Sequence, residues 1–290
     1  MHVGLHDADR TGFPNLALMK LSSAYRAQGH DVSWWEPSDP NFDKIVSSKV
    51  FSYTPETEFP IVSVCGGVGR SGNKLPDSIE HACPDYDLYP TTYSLGFLTR
   101  GCNRKCGHCV VPENEGEIRA HADVEEFLRH KEVVLMDNNV LAHPHGVEQI
   151  EKLARLKVKV DFNQGLDARL IDDAMARRLA ALKWLTPLRL ACDSAAMMSV
   201  VQKAVTLLRW HNCTPTVYFV YVLVKDVPEA AERIKFLKGL RLDPFAQPYR
   251  DKEGTEPSLE QKQLARWCNT RQAFKSMTFE QYKTFRDGRV

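Results

Sequence analysis

The sequence predicts an α/β protein: a partial (β/α)6 barrel preceded by a small Rossmann-like α/β region. Three observations predict it. From about residue 93 onward, short apolar segments rich in β-branched residues alternate with amphipathic helical segments, as parallel strands do when crossover helices cover both faces. Six strands can be counted there, short of the eight that close a barrel, so the array is expected to stay open. The first ninety residues begin strand, helix, strand, the opening of a doubly wound unit with a parallel sheet. The expected division is therefore 1–90 for the Rossmann-like region, 91–250 for the barrel and 251–290 for a C-terminal helical tail.

The elements follow in order. "HVGLH" is the first strand. "PNLALMKLSSAYRAQGH" is a helix with Pro14 near its start and Gly29 near its end, the usual asymmetry of helix termini. "DVSWWEP" and "FPIVSVCGGVG" are the next strands, and "PDYDLY" reads as a linker. The barrel strands are "YSLGFLT", "EVVLMDN", "KVKVDFN", "LRLACD", "TVYFVYVLV" and "LRLDPFAQ". Between them stand helices at "ADVEEFLRH", "VEQIEKLARL", "DDAMARRLAALK", "AMMSVVQKAVTLLRW" and "PEAAERIKFLKG". The tail carries one helix, "SLEQKQLARWCNTRQAF".

Composition excludes several classes. A net charge of +1 over 290 residues gives no global field for nucleic acid or an anionic membrane. No stretch approaches the roughly 20 apolar residues of a membrane span. "MHVGLHDADR" lacks the basic start and long apolar run of a signal peptide. A cytoplasmic location is expected, where clustered cysteines mean metal or redox chemistry more often than disulfides.

The chemistry is concentrated in "TRGCNRKCGHCVVP". Cys102, Cys106 and Cys109 are spaced three residues and then two apart. Thiolates bind soft metals and iron–sulfur clusters. Structural zinc wants a fourth ligand, for which His108 is the nearest candidate. A cubane with three cysteine ligands leaves one iron open to bind a substrate or cofactor directly. The cysteines follow the first barrel strand, at the end where reactive groups gather in such folds.

This CxxxCxxC loop, ahead of a six-stranded β/α array, resembles the radical S-adenosylmethionine (radical SAM) superfamily. In pattern the chain is nearest to its B12-binding-domain and methylthiotransferase-like group, over roughly residues 60–257. The resemblance implies an oxygen-sensitive enzyme with a [4Fe–4S] cluster on Cys102, Cys106 and Cys109 and with S-adenosylmethionine as second cofactor. It implies reductive cleavage to a 5′-deoxyadenosyl radical that abstracts hydrogen from a substrate, and an electron donor such as flavodoxin or ferredoxin. Where the superfamily has a Gly-Gly-Glu motif this chain has Asp137, Asn138 and Asn139, a departure that still offers acceptors for the cofactor's ammonium. "FNQGLDARL" resembles the arginine-bearing segment of those enzymes and brings in Gln164 and Arg169. Asp193 and Ser194 stand where relatives often have Glu-Ser, facing the ribose or the methionine carboxylate. His108 replaces an aromatic residue that packs against the adenine, and "QPYRDKEGTEP" looks like a stretched cofactor-binding segment.

Each position has a plainer reading: Asn138 and Asn139 as a turn, Arg169 as a surface ion pair, Asp193 as a helix cap, His108 as a solvated loop residue. Three further functions remain open. "CGGVG" would suit a glycine loop near a nucleotide tail, hence a cobalamin-dependent methyltransferase. However, no DxHxxG stretch supplies a cobalt ligand and ninety residues are short for that module, so a degenerate, trimmed region is expected. Nucleic-acid or nucleobase modification would use Arg250, Lys262, Arg266, Trp267, Arg271 and Lys275, a case weakened by the interleaved Asp251, Glu253, Glu256 and Glu260. A non-catalytic zinc protein is the last.

Overall fold

The computed structural model describes residues 1–59, 61, 63–69, 74–185, 187–215, 217–251 and 254–287. Pro60 and Val62 of the expected third strand, Thr216 of "TVYFVYVLV", and Lys252 and Glu253 lie outside them. The chain divides into two compact units, Met1–Phe97 with Ala122–Val133, and Leu98–His121 with Val134–Val290.

The first unit is built on β1 (His2–Asp7), α1 (Leu16–Ala27), β2 (Asp31–Trp34), β3 (Lys44–Ser48) and β4 (Ser63–Gly66), with the short α2 (Asp77–Glu80) and β5 (Ser94–Gly96) following. The first four strands form one parallel sheet in the order β2-β1-β3-β4. Asn15 caps α1 by accepting from Leu18 N, and Gly29, at φ +79°, turns the chain out of it. Leu18 and Leu21 pack into the cluster of Val3, Leu5, Val32 and Val46. β3 is absent from the sequence reading. Only Ile45 and Val46 in it are apolar; its buried Ser47 and Ser48 find partners in His6 Nδ1 at 2.9 Å and Asn15 Nδ2 at 3.1 Å.

The glycines of "CGGVG" serve this unit's own packing. A Cβ on Gly67 would stand 2.1 Å from Lys49 O, and one on Gly69 2.7 Å from the Phe51 carbonyl carbon. Their smallness admits the Lys49–Phe51 backbone and needs no nucleotide to explain it. Purified protein is therefore expected to take up no stoichiometric hydroxocobalamin; a bound-cobalamin band in the visible spectrum after gel filtration would contradict this.

The second unit begins with β6 (Thr99–Arg100), the cysteine loop, α3 (Val111–Asn114) and β7 (Arg119–Ala120), which returns antiparallel to β6. The chain then runs through α4 (Val124–Phe127), which belongs to the first unit, and β8 (Glu132–Leu135). Next come α5 (Pro144–Leu156), β9 (Lys159–Phe162), α6 (Asp173–Ala180), β10 (Lys183–Trp184) and β11 (Leu188–Ala191). After them lie α7 (Met197–Trp210), β12 (Tyr218–Val224), α8 (Val227–Gly239) and β13 (Asp243–Pro248). β9 lies between β8 and β10; β11, β12 and β13 form a second sheet, parallel throughout. Leu166 N donates to Arg189 O at 2.8 Å, and Arg189 pairs with Asp161 of β9, so the two sheets meet at β9 and β11. The architecture is mixed α/β with parallel sheets.

α7 packs on β11, α8 on β12 and β13. They cover the face that carries Leu188, Leu190, Val220, Val222 and Ala246, all buried. Alternation puts Arg189, Phe219, Tyr221 and Phe245 on the other face. The tail helix expected over 258–274 is two helices, α9 (Leu259–Asn269) and α10 (Arg271–Ser276), followed by α11 (Phe279–Asp287). The break has a cause: the Asn269 side chain exchanges two 2.9 Å hydrogen bonds with the Ala246 backbone, tying the end of α9 to β13. Trp267 is 7% exposed, packs on Phe274 and Phe279, and donates to Met277 O, so it is core and not a stacking platform for bases. Among the described residues no helix is long and apolar enough to cross a membrane.

Candidate functional site

The cysteine loop leaves β6 through Gly101, at φ +80°, where a Cβ would stand 2.3 Å from Glu117 O. Only glycine fits, because the returning chain crosses directly beneath it. Gly101 N donates to Glu115 Oε2 at 2.9 Å and Cys102 N to Gly116 O at 3.1 Å, so the loop's first residues are fixed by its own return. Cys109 N donates to Cys106 O at 3.0 Å, closing a turn that gathers the second and third cysteines. All three are half-buried free thiols. Cys102 Sγ accepts from Arg104 N at 3.4 Å and from Asn139 Nδ2 at 3.6 Å; Cys109 Sγ accepts from Val111 N at 3.5 Å. Donors aimed at sulfur suit a thiolate better than a thiol.

Residues that follow three strands, β8, β9 and β11, reach this loop. From the end of β8, Asn139 Nδ2 donates to Cys102 Sγ and, at 3.1 Å, to Asn103 Oδ1. Those two acceptors fix the amide's orientation, and its Oδ1 is left buried without a hydrogen-bond partner. From the end of β9, Asp167 accepts from Arg104 Nε at 2.9 Å and holds Arg169, whose charge bears on Cys106. From the end of β11, Asp193 Oδ2 lies 3.9 Å from His108 Nε2, while its Oδ1 accepts from Leu223 N at 3.0 Å. Asp193 therefore ties β11 to β12 and does not cap α7. Burial pushes the Cys106 thiol above its usual range; Arg169 pulls it down, and Cys109, Cys102 and Asp193 add to the rise.

The other expected contacts divide. Asp137 is buried, but its carboxylate is taken up by the chain itself: it accepts from Leu98 N, Thr99 N and Thr99 Oγ1. It anchors the stem of the cysteine loop. Asn138 is half-buried beside it; Gln164 and Ser194 are exposed on turns after β9 and β11. The sequence reading missed Arg104 and Asp167, whose only signal was a charge inside "CNRKC" and another inside "GLDARL".

A cavity of about 460 Å³ opens beside His108, lined by Leu223, Phe245, Gln247, Tyr249 and Arg250 at the ends of β12 and β13. Among the described residues no three His, Cys, Asp or Glu side chains stand in the arrangement of a metal-binding group. In residue type, three thiols on a glycine-pinned loop, two of which receive N–H groups, suit an iron–sulfur cluster. Compared with known proteins, the chain matches no family model and no curated protein.

Proposed function

We propose that this chain is a radical SAM enzyme. One observation carries the reading: a CxxxCxxC loop is met by Asn139, by the Asp167–Arg169 pair and by Asp193, which follow β8, β9 and β11 in turn. Groups at the C-terminal ends of parallel strands face one mouth, where β/α arrays do their chemistry. On this reading the two sheets are consecutive parts of an open barrel.

The chemistry that a three-cysteine [4Fe–4S] cluster supplies when bound is one-electron reductive cleavage of S-adenosylmethionine to methionine and a 5′-deoxyadenosyl radical that takes hydrogen from a substrate. The chain's own groups bind and orient. Cys102, Cys106 and Cys109 hold the iron. The N–H groups of Arg104 and Val111 stabilise the charge on Cys102 and Cys109. Asn139 Oδ1, buried with no partner, accepts from the cofactor's ammonium. Arg169 supplies donors for its carboxylate, and Asp193 an acceptor for the ribose. The cavity beside His108 takes the flat base, with Phe245 and Tyr249 as apolar wall.

The test is anaerobic. Reconstituted protein is expected to be brown, to hold about four iron and four sulfide per chain, and to release 5′-deoxyadenosine when given dithionite and S-adenosylmethionine. A colourless protein that holds zinc would end this reading. Asn139→Leu keeps the side chain's shape and removes the Oδ1 acceptor together with the Nδ2 donor to Cys102 and Asn103, so the comparison is made on variant protein shown to hold full cluster content. Hydrogen bonds to charged groups contribute about 1.5–3 kcal/mol, so S-adenosylmethionine is expected to bind at least ~10-fold more weakly in equilibrium dialysis. Unchanged affinity would remove Asn139 from the cofactor site.

A further inference from the structure

Asp167 joins two cations at the cysteine loop, and nothing in the binding roles above requires it. It caps the short turn Ala168–Leu170 from the position before it, its Oδ1 accepting from Arg169 N at 3.1 Å. The same carboxylate accepts from Arg169 Nε at 2.6 Å, Arg169 Nη2 at 3.0 Å and Arg104 Nε at 2.9 Å. Its side chain is only 6% exposed, against 32% for Arg104 and 40% for Arg169. Arg104 lies two residues after Cys102, inside the loop. Asp167 therefore does two things at once: it clamps the loop to the end of β9, and it holds the second guanidinium beside Cys106.

We propose that Asp167 is a positioning residue that sets the reduction potential of a cluster held by the cysteine loop, by fixing Arg104 and Arg169 in place and cancelling one of their two charges. The inference rests on the cluster reading above. Its physics is electrostatic. Within this trio of side chains, two guanidinium charges and the Asp167 carboxylate sum to +1; the Asp193 carboxylate, which also acts on Cys106, is common to every variant and drops out of the comparison. Burial alone would raise the Asp167 carboxyl, but the hydrogen bonds from Arg169 and Arg104 outweigh it and hold the group below the usual carboxylate range, so it is ionised at neutral pH. In a half-buried setting such charges are screened less than on an open surface. Reduction adds one negative charge to a cluster, so each positive charge nearby favours the reduced state and each negative charge opposes it.

The charge count predicts opposite signs for two variants. Asp167→Asn changes the local balance from +1 to +2 and moves the potential positive. Arg169→Gln changes it from +1 to 0 and moves the potential negative. An effect of about tenfold in the reduction equilibrium is expected for each, ~59 mV for one electron. A residue that merely braced the loop would alter melting temperature and cluster content in both variants with no such reversal of sign.

The experiment is an anaerobic redox titration of the reconstituted full chain, without S-adenosylmethionine, followed by the electron paramagnetic resonance signal of the reduced cluster. The wild type, Asp167→Asn, Arg169→Gln and Arg104→Gln are compared. A positive shift for Asp167→Asn with negative shifts for the two arginine variants supports the proposal. Unshifted potentials, or shifts of one sign in Asp167→Asn and Arg169→Gln, overturn it. Should Asp167→Asn fail to keep its cluster, Arg104→Gln decides: a negative shift supports the charge account and an unshifted potential overturns it. A wild type that holds no cluster overturns this inference together with the proposed function, whereas a cluster whose potential ignores these charges overturns this inference alone.

Discussion

Replacing Cys106 by alanine is expected to give a folded chain that holds almost no iron–sulfur cluster and releases 5′-deoxyadenosine only at the level of a no-reductant control. The fold should survive because the loop's fixed points lie elsewhere. Gly101 N is held by Glu115, Cys102 N by Gly116 O, and the Arg104 side chain by Asp167. The Cys106 contribution to the turn is its backbone carbonyl, which alanine keeps. The Cys106 side chain is half-buried beside Arg169 and the other two cysteines, so its loss opens little core. What alanine removes is one of three thiolates, and two hold a cubane poorly. Iron and sulfide analysis, the thermal transition and chromatography of the reduced reaction separate these effects. Cys65→Ala is the control: Cys65 lies at the end of β4, in the first unit, and its variant should keep cluster and activity. A Cys106→Ala protein with full iron content would refute the ligand assignment. Equal loss in Cys65→Ala would point to general damage.

What the sequence made legible, and what it hid, follows from the range of the interactions involved. The alternating strands and helices of the second region were readable because periodicity is local: "TVYFVYVLV" and "AMMSVVQKAVTLLRW" carry their burial pattern within a few residues. β3 was hidden because two of its buried residues are serines, satisfied by His6 and Asn15 from distant positions. The expected strand "YSLGFLT" divides into β5 and β6 for a similar reason. The N–H groups of Leu98 and Thr99 turn to Asp137, nearly forty residues away, a partner that no local pattern encodes. At the site, the cysteine spacing announced itself. The Arg104–Asp167 ion pair joins residues 63 apart, and only the fold brings them together. Asp137 shows the opposite limit: its residue type suggested a ligand for a cofactor, while the chain uses it to bind its own backbone.

That use of Asp137 carries the largest expected stability effect. Asp137 is 3% exposed, and its carboxylate accepts from Leu98 N at 3.1 Å, Thr99 N at 2.6 Å and Thr99 Oγ1 at 2.7 Å. Both donors' residues are fully buried. Asp137→Ala leaves two backbone N–H groups and one hydroxyl without an acceptor, at about 1–3 kcal/mol for each buried group left unmade. The expected loss is about 3–5 kcal/mol, since part of the site will relax or admit water. The stem of the cysteine loop is freed with it, so cluster content should fall as well. Asp137→Asn keeps one carbonyl acceptor and is expected to cost less. The pH dependence has a definite sign. Burial pushes the Asp137 carboxyl from 3.8 up to about 6, while Thr99 and the Leu98 and Thr99 backbone pull it down. Between those two values the folded chain holds a proton that the unfolded chain has released. The contribution of Asp137 to stability is therefore fullest below pH 3.8, falls as the pH rises through about 6, and is constant above it. Urea unfolding of the wild type and Asp137→Asn across this range reads it as a difference that shrinks with rising pH and then levels. A difference that grows with pH would mean that the three donors favour the carboxylate by more than burial penalises it, and the assigned direction of the shift would be wrong.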